Sequence, residues 1–564
     1  MVWQTEQPDK NLVCKIASTF NLSGHIAGLV AAAGFADIEE ISRFLDPKLL
    51  SMSDPFDMPD MEKAVDRIWD AILGREVIAV YGDYDADGMT SVALLVSVIK
   101  DLGGIVEPWI PVRVSDGYGL GIASLERLLA EQKPSLVVTV DCGTNSVDAA
   151  GMLSEAGIDL IITDHHEVSS GIAQAFAIVN PKLGADDSIK MLAGAGVAFK
   201  LCHGLVKRGR QRGNNAVNDL DLRDYLDLAA VGTVADIVPL TGENRVLVKH
   251  GIERLNRTKS PGLKALLEVS GVKNGAEASH IGFSIGPRLN AAGRLGEAET
   301  ALQLLLERDA GAAKKLALRL DALNKTRRSV EGKIFKEAAA RIDSFFDKSK
   351  NFGIVVYDSD WHQGVIGIVA SRLAAFYSLP VAVIAVGPDG TGRGSCRSVK
   401  GYSILKGLEL CSDLLENYGG HDMAAGFDVK TVNIPEFTGR FNEAVGSALK
   451  DRDLTPVLKI SWWLELNDTV DGLLDEMAVL RPFGNGNPVP VWAVSGVQCA
   501  GYCAKVGANH LKFDVTDGNI KRPAIAFGMA DRPLPSGKFD IAFTLQKNSF
   551  QGRNTLQLNI KDFR

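Results

Sequence analysis

Asp83, Asp85 and Asp87 fall within one short run, Asp83-Tyr84-Asp85-Ala86-Asp87-Gly88, while Asp141-Cys142-Gly143, Asp164-His165-His166 and Asp236 follow further apolar segments. Acids and imidazoles in that number can hold divalent metal ions. A DxDxD run alone is more often a turn, a calcium loop or a solvated acidic surface than a catalytic site. An EF-hand loop, however, ends on a bidentate Glu and uses oxygen ligands throughout, whereas this set adds imidazoles from a separate segment. Imidazole with carboxylate suits manganese, zinc or iron, so the mixed set points to two divalent ions, manganese first and magnesium as the alternative. Two such ions about 3.5–4 Å apart can grip a phosphate, acidify a bridging water and stabilise the leaving oxygen of an in-line displacement. Of the adjacent rings His165 and His166, one is expected to ligate metal and the other to contact phosphate, because neighbouring side chains at a strand end diverge.

These residues can meet only if the elements carrying them converge. Residues 77–81, 136–140 and 160–163 are continuous aliphatic runs, the pattern of parallel strands buried on both faces. Helical patterns at 90–101 and 124–132 alternate with them and predict a parallel α/β domain, in which ligands gather at the carboxyl ends of the strands. Residues 219–230 read as a helix, and the segment 231–240 then places Asp236 among small and apolar neighbours. A buried acid needs a partner, which a metal supplies.

The chain has 564 residues, enough for three or four units, and 46% hydrophobic content supports cores for them. A net charge of −8 argues against coating duplex DNA, yet leaves room for a local basic channel. Seven scattered cysteines with no CxxC pair indicate neither a disulfide framework nor a structural zinc site, and so a reducing, cytoplasmic setting. No signal-peptide pattern opens the sequence and no apolar stretch approaches membrane length, so no membrane association is expected.

The organisation reads as a helical lead-in over 1–60, an α/β catalytic domain over 61–300, a long helix over 301–350, a second α/β domain over 351–452, and a small β-barrel of oligonucleotide-binding type over 453–564. Leu316, Leu320, Leu323, Arg327, Val330 and Ile334 recur at helical spacing and place one long helix between two lobes. The segment 286–294 is rich in Gly and Arg and reads as readily as a loop. Segments 391–398 and 419–427 join bare glycine backbone to Arg and His donors suited to phosphate. Short alternating strands after residue 455, with turns at Asp517-Gly518 and Gln551-Gly552, predict the barrel. Trp462, Trp463 and Phe550 with Lys547 and Arg553 are its candidates for single-strand stacking, with core packing expected of at least one Trp.

Together these motifs, with Gly232-Thr233-Val234-Ala235-Asp236, Ser395-Cys396-Arg397-Ser398, Gly419-Gly420-His421 and Pro482-Phe483-Gly484-Asn485-Gly486-Asn487-Pro488, resemble the DHH phosphoesterase superfamily. Within it they are most similar to the bacterial exonucleases specific for single-stranded DNA. That resemblance implies two α/β lobes, a DHH domain and a DHH-associated domain, joined by the long helix and followed by an OB-type barrel. It implies metal ligands Asp83, Asp85, Asp87, Asp141, His165 and Asp236, with Asp141 bridging and His166 at the scissile phosphate. Arg288 and His421 would hold phosphates beside the metals. Arg113 would grip a terminal 5′ phosphate with Tyr118 stacked nearby and Ser395 and Arg397 completing the pocket. The implied activity is 5′-to-3′ release of mononucleotides in recombination and repair, by a monomer whose partners are a single-stranded-DNA-binding protein and a RecQ-type helicase. A superfamily phosphodiesterase for short RNA or cyclic dinucleotides would normally lack the barrel and lead-in. A non-catalytic replication scaffold would have lost metal ligands, and none is missing here.

Overall fold

The computed structural model describes the chain apart from residues 113–118, 169–170, 348–349, 451, 453–454, 502, 508 and 551–552. In the first lobe, five parallel strands lie in the order Ile105–Trp109, Val77–Gly82, Leu136–Val140, Asp159–Thr163, Ala177–Val179. From the strand at 77–82 the chain moves to one side, then crosses over to 136–140 on the other. The crevice at such a reversal is where open sheets bind ligands, and Asp83 and Asp141 follow the two strands that border it. Helix Ala86–Asp101 shares a core with Ile78, Val80 and Val138, while Ile122–Gln132 and Val147–Glu155 pack with Ala79, Tyr81 and Val137 on the opposite face. Cover on both faces explains why these strands read as unbroken aliphatic runs.

The edge strand Ile105–Trp109 carries no such signal because its exposed positions include Glu107 and it contains Pro108. The helix expected over 219–230 instead spans Leu226–Ala235, so that Gly232, Thr233 and Val234 are helical and Asp236 is the C-terminal cap. Segment 286–294 is also helical rather than a loop.

Helix Ala310–Phe345 has 36 residues, about 54 Å at the α-helical rise. Its first half buries Ala313, Ala317, Leu320 and Leu323 in the first lobe, and its second half buries Ile334, Ala338 and Ile342 in the second. One element therefore belongs to two cores and fixes the spacing between lobes. The second lobe is a mixed sheet of five strands in the order Leu415–His421, Ala424–Lys430, Thr391–Arg397, Val381–Val386, Ile354–Asp358.

The C-terminal sheet has seven strands, and a further pairing of Trp492–Cys499 with His510–Thr516 curls it toward closure. The lead-in belongs to this unit. Helices Lys10–Phe20, Gly24–Ala32 and Ile38–Leu45 bury Ile16, Ile26, Val30 and Ile41 in the barrel's core, and strand Val2–Thr5 pairs with Val457–Ile460. Trp462 lies so close to Gly28 that a β-carbon there would come within 2.4 Å of the ring, and Trp463 donates to Thr5 Oγ1. Both tryptophans thus pack against the N-terminal segment, and Lys547 pairs with Asp475. The Phe550 and Arg553 side chains lie outside the described residues. Among the described residues no helix is long and apolar enough to cross a membrane.

Candidate metal centre and substrate cleft

Strand ends and helix starts deliver the acids. Asp85 caps helix Ala86–Asp101, accepting from the backbone N–H groups of Asp87 at 2.9 Å and Gly88 at 3.0 Å. Asp87 in turn accepts from Gly194 and Ala195 at 2.7 and 2.8 Å, where helix Gly194–Gln211 begins. A helix N-terminus favours negative charge, so two helices point their positive ends at this cluster. A β-carbon on Gly194 would sit 2.6 Å from Asp141 Oδ1, and one on Gly232 would sit 2.5 Å from Asp87 Oδ1. Small residues let the backbone close around the carboxylates.

Among the described residues three overlapping groups can each converge on one ion: Asp83, Asp85 and Asp141; Asp87, His165 and Asp236; Asp141, His165 and His166. Asp141 and His165 are shared between groups. His165 Nε2 is buried without a hydrogen-bond partner among the described residues, 3.0 Å from Asp141 Oδ1 and 3.7 Å from Asp236 Oδ2. Burial, then repulsion from His166, drives this imidazole down to about 3, so it offers a neutral lone pair. Burial, then repulsion among neighbouring acids, pushes Asp87 up to about 7, Asp236 up to about 9 and Asp141 well above the usual carboxylate range. Crowded buried acids beside a neutral imidazole fit divalent cations, which would supply the missing positive charge.

A pH dependence follows. Carboxyls with folded pKa values above their unfolded value of roughly 4 favour the fold fully below that value. Their contribution is lost as pH rises through about 7 for Asp87 and about 9 for Asp236. Each tenfold difference in proton affinity is worth about 1.4 kcal/mol. The thermal midpoint in EDTA should therefore fall from pH 5 to pH 9, Mn2+ should restore it most at high pH, and Asp236→Asn should flatten the fall. Identical pH slopes for parent and variant would remove this account.

Beside the cluster lies a cleft of about 810 Å³, walled by Tyr84, Cys142, Asp164 and His166 from the first lobe and by Ser395, Arg397 and His421 from the second. The structure thus brings together the six expected ligands, sets His166 next to them, and places three expected phosphate contacts in the same cleft. Arg288 is elsewhere. Its guanidinium donates to Ser284 O at 2.7 Å and Val269 O at 3.1 Å and pairs with Asp321 at 2.8 Å, joining its helix to the long helix. Arg294, at the end of the same helix, lines the cleft instead and donates to Gly364 O across the lobes. Arg113 and Tyr118 lie outside the described residues.

Comparison with known proteins agrees with this architecture. Residues 77–233 match the DHH family N-terminal domain, 350–449 the DHHA1 domain and 460–562 the RecJ OB domain. The single-stranded-DNA-specific exonuclease RecJ of Bacillus subtilis is 36% identical over 571 residues, covering 100% of this chain and 70% of the relative. The chain belongs to the RecJ family. RecJ of Thermus thermophilus in complex with Mn2+ superposes with a TM-score of 0.85 at 31% identity, covering 100% of this chain and 79% of that one. The same protein in complex with Mg2+ gives 0.80 at 30% identity, covering 100% and 78%.

Several residues of this RecJ-family site escape sequence reasoning. Asp164 is not one of the six ligands but an organiser: it accepts from the backbone of Thr144 at 2.9 Å and His165 at 2.7 Å, and lies 2.7 Å from His166 Nδ1. Asn290 accepts from Ala86 N–H at 2.7 Å, and a β-carbon on Gly293 would lie 2.2 Å from Tyr84 O, so helix Gly286–Arg294 props the Asp83–Asp87 run from behind. The small residues of Ala193-Gly194-Ala195-Gly196 ahead of a helical pattern are the signal for the helix start that receives Asp87.

Proposed function

We propose that the chain is a metal-dependent exonuclease that digests single-stranded DNA from its 5′ end. The observation that carries this reading is the six-ligand cluster at the sheet's switch point beside a cleft that the second lobe walls with Ser395, Arg397 and His421. Asp83, Asp85, Asp87, Asp141, His165 and Asp236 would hold two ions, with Asp141 shared. Manganese or magnesium bound there supplies Lewis-acid polarisation of the scissile phosphate and acidifies the attacking water. The chain does the remainder. His166, held through Nδ1 by Asp164, turns its ring to the cleft, where it would meet a phosphate oxygen. Arg294 and His421 supply donors to phosphates passing between the lobes, and the lobe spacing set by the long helix keeps those donors fixed relative to the cluster.

Polarity requires a terminal pocket. A β-carbon on Gly367, the second residue of helix Ile366–Tyr377, would lie 3.3 Å from Arg397 Nη2 and 3.1 Å from Ser395 Oγ. Helix N-terminus, guanidinium and hydroxyl together suit a phosphate. With Arg113 and Tyr118, which the family resemblance assigns to the terminal phosphate, this pocket would seat the 5′ end and present the first phosphodiester to the cluster. Kinship with the RecJ family supports a single-stranded-DNA-binding protein and a RecQ-type helicase as partners, and the cytoplasm as the setting.

The test is digestion of single-stranded DNA labelled at either end, with Mn2+ or Mg2+, beside duplex and RNA controls. Mononucleotide should leave first from the 5′ label. Arg397→Ala should slow digestion of 5′-phosphorylated strands about 10- to 100-fold, the scale of a charged hydrogen bond, and leave 5′-hydroxyl strands nearly unchanged. Equal losses on both ends would remove the end pocket.

A further inference from the structure

We infer that Asn485, on the loop 482–488 that the C-terminal unit lays against the catalytic lobe, is a positioning residue for Asp236; this rests on the metal-centre reading above. Asp236 caps helix Leu226–Ala235, and the next residue, Ile237, has φ +64°. A β-branched residue in the left-handed region is an outlier that persists only where its surroundings impose it. Burial does not impose it, since Ile237 is 71% exposed. Within the catalytic lobe, Asn244 donates to Pro239 O at 3.1 Å, and the turn's remaining ties come from one residue of another domain. Asn485 Nδ2 donates to Ile237 O at 2.7 Å, and Asn485 O accepts from Leu240 N–H at 2.7 Å. Both ends of the turn that follows Asp236 are therefore tied to Asn485.

The rest of the loop is built to hold that grip. A β-carbon on Gly484 would lie 2.6 Å from Leu240 Cδ1, and one on Gly486 would lie 3.0 Å from Pro239 Cβ, so the loop backbone lies flush on the turn. Asn487 Nδ2 donates to Leu480 O and Pro482 O, each at 2.8 Å, folding the loop on itself. Behind it Arg245, 1% exposed, stacks on the Phe44 ring and donates to the carbonyls of Phe44, Leu480 and Arg481 at 2.7, 3.1 and 2.8 Å. A buried guanidinium must be satisfied, and here its partners are backbone groups of the lead-in and of the segment entering the loop. The C-terminal unit thus acts on the metal centre: its docking holds a candidate ligand in place. Groups that orient a metal ligand change affinity about 10- to 100-fold when removed.

The experiment is Mn2+ titration of the full chain, read by the electron paramagnetic resonance of free Mn2+, with thermal melting alongside. Asn485→Ala, and the near-isosteric Asn485→Asp that removes the donor, should each raise the Mn2+ concentration for half-saturation about tenfold. At saturating Mn2+ both should digest single-stranded DNA within about threefold of the parent. Arg481→Ala breaks the pair with Glu277 at the same interface without touching the turn, and should bind Mn2+ as the parent does. Parent-like Mn2+ affinity in both Asn485 variants, or an equal loss in Arg481→Ala, overturns the inference while leaving the metal centre intact. A parent chain that takes up no Mn2+ overturns the metal-centre reading and this inference with it.

Discussion

Asp141→Ala is expected to lower hydrolysis of single-stranded DNA by about 10⁴-fold or more, the scale on which an indispensable catalytic group acts. Asp141 groups with Asp83 and Asp85 and lies 3.0 Å from His165 of the Asp87, His165 and Asp236 group, so its loss removes the carboxylate that stands between the two candidate ion positions. The fold should survive. The aspartate already bears the strain of about 1–2 kcal/mol that a φ of +60° imposes, so alanine adds only the small margin by which Asp tolerates that region better, but the substitution also removes one of several buried acids that repel one another. The two effects oppose, and the melting temperature in EDTA should move little. Asp141→Asn keeps the shape and separates charge from volume; it should be nearly as inactive. Normal cutting by either variant with Mn2+ present would end the two-metal account.

The chemistry was legible because it sits where sequence patterns are strongest. The strand at 136–140 has the same bounds in pattern and structure, and the aspartates follow from strand ends that buried aliphatic runs define. What was not legible depends on phase and on tertiary contact. Arg288 and Arg294 lie six residues apart in a segment that reads as a loop; once helical, six residues turn through about 240°, which sends the first toward Asp321 and the second toward the cleft. The lead-in helices show amphipathic faces, but nothing local says that those faces meet a barrel more than 400 residues away. Asp164 reads as a ligand or a bystander until its three backbone donors and His166 are seen around it. Asn485 carries no signal at all that it holds the turn after Asp236.

His166→Ala should lower turnover by about 10²- to 10⁴-fold, as loss of a positioned acid or base does, while leaving Mn2+ affinity within about threefold of the parent. The ring lies close enough to Asp141 and His165 to be read as a third donor, so geometry leaves two roles to separate. Its Nδ1 is engaged by Asp164 at 2.7 Å, and Asp164 is fixed by the backbone N–H groups of Thr144, His165 and His166. Burial alone would push the His166 imidazole down, but the bond to Asp164 outweighs it and raises the ring above its ordinary value. Asp164 is correspondingly held well below the usual carboxylate range: burial pushes it up, and the bonds from His166 and Thr144 more than reverse that. A ring that keeps its proton donates a hydrogen bond to a phosphate oxygen and has no lone pair for a metal. Asp164→Asn should therefore shift the alkaline limb of the activity profile to lower pH, since His166 loses the group that keeps it charged. If His166→Ala weakens Mn2+ binding about 100-fold, or Asp164→Asn leaves that limb in place, the ring is a metal ligand and the phosphate contact must be sought in Arg294 or His421.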